Sequence, residues 1–259
     1  MYWLTYSAPL IVLWITVTLV NWGCVVLGAA ARRRFAAELA GPEAQPFDVA
    51  YGAIFVLTAL ILGFSFSFAT TRFDARRALV VREANAIGTT YLRAGYLPGE
   101  LAARLRTTLR EYAQTRLAVL ASEENPAQVQ ASERSAAAMQ GALWSIAEAA
   151  GRADPQNVQL ALLTQTVNDT IDIAGEEAAA YRARVPIAVV NLMLMMSVVA
   201  SALVGGRIAR PRSPQGALAL LFGLLLATVV TAIVDLDRPQ HGLVRVDLTS
   251  MQTVLRSMR

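Results

Sequence analysis

The chain has 259 residues, of which 55% are hydrophobic, and a formal net charge of +4. All 23 basic residues are arginines, and they are spread along the chain between acidic residues. This spread does not fit the clustered basic surface of a nucleic-acid-binding protein. The absence of lysine excludes Schiff-base and P-loop chemistry. Cys24 is the only cysteine, so an intrachain disulfide and a cysteine metal cluster are also excluded.

Four long apolar stretches carry no charged residue: Met1–Ala31, Val49–Thr71, Val185–Gly206 and Ser213–Val234. Each is long enough to cross a bilayer, which takes about 20 apolar residues. The first lacks a positive leader and is too long for a signal-peptide core, so we interpret it as a retained span. The sequence therefore predicts an all-α membrane protein with four transmembrane helices. The predicted parts are spans 1 and 2 (1–71), a helical soluble block (72–184), spans 3 and 4 (185–234) and a tail (235–259).

The soluble block shows helical periodicity with no alternating strand pattern. Its first helix continues directly from the second span, and its apolar face is formed by Phe73, Val80, Ala84, Ile87 and Tyr91. A second helix places Leu101, Leu105, Leu109 and Tyr112 on one face. Ser122–Ser132 is predicted to be a loop around Pro126. Further helices are expected over Glu133–Ala150 and Gln156–Arg182, with a kink near Pro186.

Arginines flank the spans on both sides. The short loops contain Arg32–Arg34 and Arg207, Arg210 and Arg212, which the positive-inside rule places in the cytoplasm. Arg72, Arg76, Arg77, Arg82, Arg182 and Arg184 flank the membrane on the opposite side. The orientation of the soluble block therefore stays open.

Several motifs resemble a known family. The segment LGFSFSFATTRFDARRAL, Leu62–Leu79, resembles the bestrophin segment in which an LGF-type helix ends in Thr-Arg-aromatic and continues into water. Asp48–Gly52 (DVAYG), Arg82–Ala86 (REANA) and Leu236–Pro239 (LDRP) with Gly242 resemble the bacterial bestrophin-like family of unknown function. The order of two spans, a helical block and two spans is also similar. The usual bestrophin Asn-Pro-Phe-Gly tail is replaced by DRPQHG, which removes the basis for expecting the bestrophin gating apparatus.

The resemblance implies a pentameric ion channel whose second span lines the pore with a hydrophobic neck. It places Val56, Leu60 and Phe64 at the neck positions, four residues apart and therefore on one helical face. A ring of such side chains can gate a pore by dewetting. The alternative is an apolar stripe that faces lipid or packs against neighbouring helices.

Polar residues near the ends of the spans are candidates for the pore mouths. Ser67 and Thr71 offer hydroxyls, and such hydroxyls also commonly bond back to the helix. The candidate charge rings are basic, Arg72 and Arg76 with Arg77, or acidic, Asp235 and Asp237. The alternatives are contacts with lipid phosphates and the nearby Asp74 for the arginines, and interface anchors for the acids. With both signs available, the selectivity of the pore is not predicted.

The leading hypothesis is a homo-oligomeric ion channel of a bacterial inner membrane, with inorganic ions and the lipid bilayer as partners and no cofactor or metal. The alternative is a non-conducting membrane scaffold or stress-signalling protein whose soluble helices bind a partner. An enzyme is not predicted, because no HExxH, GxSxG or glycine-rich phosphate loop is present. Glu176 and Glu177 are interpreted as a solvated acidic surface, and Asn191 as a helix-packing contact.

Overall fold

A computed structural model describes residues 8–34, 45–121, 126–207, 214–238 and 242–258 of the chain. The helices, in chain order, are α1 Leu10–Arg34, α2 Gln45–Arg93, α3 Gly99–Ala121, α4 Pro126–Ala153, α5 Val158–Arg182, α6 Ile187–Gly206, α7 Pro214–Asp237 and α8 Thr249–Ser257. A short 3₁₀ turn, Ala94–Tyr96, joins α2 to α3. No strand occurs among these described residues, so the all-α prediction is confirmed.

Four helices are long and apolar enough to cross a membrane, as the sequence predicted. They lie within Leu10–Arg34, Val49–Tyr96, Val158–Gly206 and Gln215–Asp237. The first seven residues of the predicted first span lie outside the described residues. The 49 residues of α2 are more than twice the roughly 20 that a bilayer requires. The expected passage of one helix from apolar to charged sequence without a break is therefore confirmed.

Contacts divide the described residues into two units. The membrane unit contains those within Met1–Thr71, Arg184–Arg238 and Gly242–Val244. The helical unit contains those within Arg72–Ala183 and Arg245–Arg259.

Small residues and one amide organise the membrane unit. A Cβ atom added to Gly28 would lie 2.0 Å from the carbonyl oxygen of Ala202, and one added to Gly205 would lie 2.0 Å from that of Val25. The backbones of α1 and α6 therefore approach closely, which only glycine permits. The fully buried Asn21 accepts a hydrogen bond from the Ser197 hydroxyl at 3.0 Å and donates to the Gly223 carbonyl at 3.3 Å. Asn21 thus connects α1, α6 and α7.

The helical unit has its own apolar core. The predicted stripe of α2 supplies the buried Val80, Ala84 and Ile87 to this core. The predicted face of α3 supplies Leu105, Leu109 and Tyr112, all fully buried. The other helices add further large side chains, among them Leu143 and Ile146 from α4, Leu160, Leu163 and Val167 from α5, and Met251 from α8.

Two local predictions need correction. The predicted loop Ser122–Ser132 is helical from Pro126 onward, because proline is well tolerated in the first turn of a helix, where its missing N–H has no partner to lose; residues 122–125 lie outside the described chain. Near Pro186 the chain does not kink but breaks: α5 ends at Arg182 and α6 begins at Ile187. The short helix α8 in the tail was not predicted.

Candidate functional site

The three predicted neck residues are exposed on α2. Val56, Leu60 and Phe64 are 70%, 51% and 59% accessible. Ser67 and Thr71, the predicted mouth hydroxyls, are exposed on the same helix. At 100° per residue, all five fall within about 80° of one another around the helix axis. We call this stripe of Val56, Leu60, Phe64, Ser67 and Thr71 the neck face.

The opposite side of α2 holds the helix in the membrane unit. Thr58, Leu62, Ser65 and Ala69 are buried at steps of four, three and four residues. Leu62 and Ala69 belong to the apolar cluster formed with α6 and α7. Phe55, at the edge of the same side, packs edge-on against Phe222 of α7 at 5.8 Å between ring centroids. The neck face therefore points away from the helices of the membrane unit with which α2 packs.

Hydroxyls along this part of α2 bond to the helix itself. Thr58 and Ser65, on the packed side, each donate to the carbonyl four residues earlier at 2.7 Å. Thr71, on the neck face, donates to the Ser67 carbonyl at 2.9 Å. The Thr71 oxygen keeps its lone pairs directed outward, so it can accept a hydrogen bond or contact a cation.

Arg72 and Arg76, two of the arginines predicted to form a basic ring, do not lie on the neck face. Arg76 is buried, and its Nε and Nη2 donate to the carbonyl oxygens of Ala180 at 3.1 Å and Ala183 at 2.7 Å. These carbonyls end α5, where a cation offsets the negative end of the helix dipole. Arg72 is half-buried, and the helical register turns it towards the packed side. The burial of Arg76 weighs against an exposed basic ring.

The two acids predicted as an acidic ring are also engaged within the membrane unit. The Asp235 carboxylate accepts hydrogen bonds from the backbone N–H groups of Leu243 at 2.8 Å and Val244 at 3.1 Å. A Cβ atom on Gly242 would lie 2.4 Å from Asp235 Oδ1, so a side chain there would displace this carboxylate. Asp237 accepts from the Val185 N–H at 2.9 Å. Both acids are buried, and burial weighs against a role as ion-attracting rings.

Asp237 and Arg238 of the LDRP motif therefore have a structural role at the end of α7. Besides the two acids, Arg238 is buried and donates to the Ala8 carbonyl at 2.6 Å, which links the end of α7 to the start of the described chain. Sequence reasoning noted the motif but not this role, because the bonded partners are backbone groups that no sequence pattern reveals.

A buried ionic cluster in the helical unit was missed from the sequence. Arg116 of α3 donates to both oxygens of Glu83, at 2.7 and 3.2 Å, and also to Glu177 of α5. The Tyr112 hydroxyl donates to Glu83 at 3.1 Å, and Gln140 donates to Tyr112 at 3.2 Å. The three charged side chains are almost completely inaccessible. The one sequence feature that could have indicated this cluster was Glu83, which lies within the REANA stretch.

The cluster holds two carboxyl groups and one guanidinium. Burial, and after it the neighbouring Glu83 carboxylate, together raise the pKa of Glu177 to about 9 against the opposing effect of Arg116. The raised pKa favours a proton on the Glu177 carboxyl group. Glu177 was predicted to be part of a solvated surface; that prediction is wrong for Glu177. Glu176, beside it, is exposed and pairs with Arg82 at 3.0 Å.

The comparisons with known proteins agree on the fold. The bestrophin-like domain family matches residues 17–251. Three structures of a bacterial bestrophin homolog from Klebsiella pneumoniae superpose with TM-scores of 0.72, 0.72 and 0.71 at 14%, 14% and 15% identity. They cover 94%, 98% and 94% of this chain, and 97%, 98% and 96% of their own. The first two are single-residue variants.

Among proteins of curated function, none matches this chain. The family match nevertheless spans nine-tenths of the sequence, and the solved structures share the fold over 94% or more of this chain. The resemblance read from the motifs is confirmed, and the chain is a multi-pass membrane protein. It belongs to the bestrophin-like family.

Proposed function

We propose that this protein is an oligomeric ion channel in which copies of α2 surround an axial pore. The observation that carries the proposal is the neck face, which lies opposite the side that packs within the chain. This apolar stripe with hydroxyls at one end is left exposed by the described residues of its own subunit. Arranged around an axis, the stripes form a hydrophobic neck of Val56, Leu60 and Phe64 with Ser67 and Thr71 at its mouth.

The physical chemistry of the span requires several copies. A single chain offers one apolar helix face, and no aqueous path is enclosed by one such face. Several copies enclose a narrow apolar constriction that passes ions only when it is hydrated. The similar solved structures are described as bestrophin homologs, and by resemblance we propose five copies in a bacterial inner membrane.

The competing function is a non-conducting scaffold. The observation that favours it is the exposure of apolar side chains on other spans too, among them Leu19 and Leu27 of α1. Exposed apolar side chains on a membrane span ordinarily face lipid, so the exposure of the neck face alone does not distinguish a channel from a scaffold. A measurement of ion permeation distinguishes them.

The test is ion flux into liposomes reconstituted with the purified protein. Phe64→Ala removes the largest side chain of the neck, so we expect a higher flux than in the wild type. The matched control is Phe66→Ala, the same substitution two residues away. Phe66 is 47% exposed but lies about 120° around the helix from the centre of the neck face. We expect the control to conduct like the wild type.

Two outcomes would count against the channel. If wild type, Phe64→Ala and Phe66→Ala are all as tight as protein-free liposomes in several salts, the scaffold function is supported. If both alanine variants raise the flux equally, the ions do not pass along the neck face.

A further inference from the structure

The stripe of the neck face continues along α2 beyond Thr71 to a charged residue, Asp74. Asp74 follows Thr71 by three residues on the same uninterrupted helix and is exposed. Ala78, four residues further, is also exposed. Leu60, Phe64, Ser67, Thr71, Asp74 and Ala78 therefore follow one another at alternating steps of four and three residues. This is the spacing of a single stripe along a helix.

The two arginines that follow Asp74 differ in their surroundings. Arg76 is buried with its guanidinium on the last carbonyls of α5. Arg77 is exposed; the pKa of Asp247 is lowered first by hydrogen bonds from Thr249 and, to a smaller extent, by the charge of Arg77. Within the described chain no ion pair joins Asp74 to Arg77, although the two are three residues apart.

The next charge along the stripe is already balanced. Arg82 lies two turns beyond Asp74 and pairs with Glu176 at 3.0 Å, with both side chains about half exposed. From Val56 to Ala78, Asp74 is the one charged residue of α2 within this stripe; Arg77 is also exposed but lies about 60° around the helix from Asp74. The sign of the Asp74 charge is negative, in contrast to the basic ring that Arg72 and Arg76 led the sequence to suggest.

We propose that Asp74 sets the charge selectivity of the pore, drawing cations towards the neck and repelling anions. The proposal rests on the channel function above. Copies of α2 around an axis bring one carboxylate per subunit to the same level, one turn below Thr71. Rings of acidic side chains are the usual means by which pores favour cations. The field of the ring raises the local cation concentration and weakens as salt screens it.

The test is the reversal potential of the reconstituted protein in planar bilayers with asymmetric potassium chloride. For the wild type we expect the reversal potential to be shifted from zero towards the equilibrium potential of potassium. This shift should become smaller as the ionic strength of both solutions is raised. Asp74→Asn removes the charge at nearly constant volume, so the potential should move towards zero. Asp74→Arg reverses the charge, so the potential should move towards the chloride value.

The control is Glu111→Gln, which removes an equivalent exposed charge from α3 of the helical unit. It should leave the reversal potential unchanged. If the channel conducts but Asp74→Asn and Asp74→Arg keep the wild-type potential, the role of Asp74 is refuted while the channel stands. If neither wild type nor Phe64→Ala conducts, the channel function fails and the selectivity proposal fails with it.

Discussion

Two adjacent glutamates show how much a single residue's environment depends on helical phase. Neighbouring residues on a helix point about 100° apart. On α5 this rotation leaves Glu176 exposed beside Arg82 and places Glu177 in the buried cluster with Arg116. The sequence alone shows two acids in a polar segment, and it does not show which helix will cover one of them. The cluster was therefore beyond sequence reasoning, although the helix that carries it was predicted.

The buried cluster predicts how stability depends on pH. Because the pKa of Glu177 is raised to about 9 from an ordinary value of 4.5, the folded chain keeps a proton that the unfolded chain releases. The contribution of Glu177 to the free energy of unfolding is greatest below pH 4.5, decreases as the pH rises from 4.5 to about 9, and levels off above that pH. Glu177→Gln, a permanently neutral side chain of similar shape, should remove this part of the pH dependence. Thermal unfolding of the purified protein across the window measures the effect.

Glu176→Gln is the matched control for that experiment. Glu176 is about half exposed, and surface ion pairs contribute little, so its substitution should leave the shape of the pH profile unchanged. A wild type and a Glu177→Gln variant that lose stability in parallel as the pH rises would contradict the assignment of the proton to Glu177.

At the scale of helices, the contact between α1 and α6 depends on the absence of side chains. The Cβ positions of Gly28 and Gly205 would overlap the facing backbone. We expect Gly28→Leu to force the two helices apart and to destabilise the protein by about 1–3 kcal/mol or more, as overpacking does. Chemical denaturation of the detergent-solubilised protein measures this loss.

Gly23→Leu is the control on the same helix, since a Cβ atom at Gly23 has nothing within 4 Å. It should be close to neutral. Equal destabilisation by the two leucines would show that the cost comes from replacing a helical glycine in general and not from the close helix contact.

The sequence predicts elements better than it predicts their contacts. Hydropathy over about 20 residues locates each span because the bilayer imposes that length. The uninterrupted apolar rhythm after Thr71 likewise predicted the continuation of α2. Neither pattern indicates that Gly28 meets Ala202, or that Asp235 accepts hydrogen bonds from Leu243 and Val244, because those partners are backbone groups distant in sequence.

At the scale of the whole molecule, the proposed pore belongs to an assembly and not to one chain. The resemblance predicted the neck residues, and the structure shows which way they face in a single subunit. The structure also changes the charges available to a pore, because Arg76, Asp235 and Asp237 are buried and Asp74 is exposed. Periodicity alone did not show which of these charged side chains are buried and which are exposed, since most faces of an apolar span look alike in the sequence.

Thiol modification during flux tests the central claim that ions pass along the neck face. In a Cys24→Ser background, Ser67→Cys places a nearly isosteric thiol on the neck face, and Phe66→Cys and Phe68→Cys place thiols on either side of it. A water-soluble cationic methanethiosulfonate reagent should block ion flux through Ser67→Cys and leave the two flanking variants conducting. Equal block of all three, or no block of Ser67→Cys despite its modification, would contradict a pore lined by this face of α2.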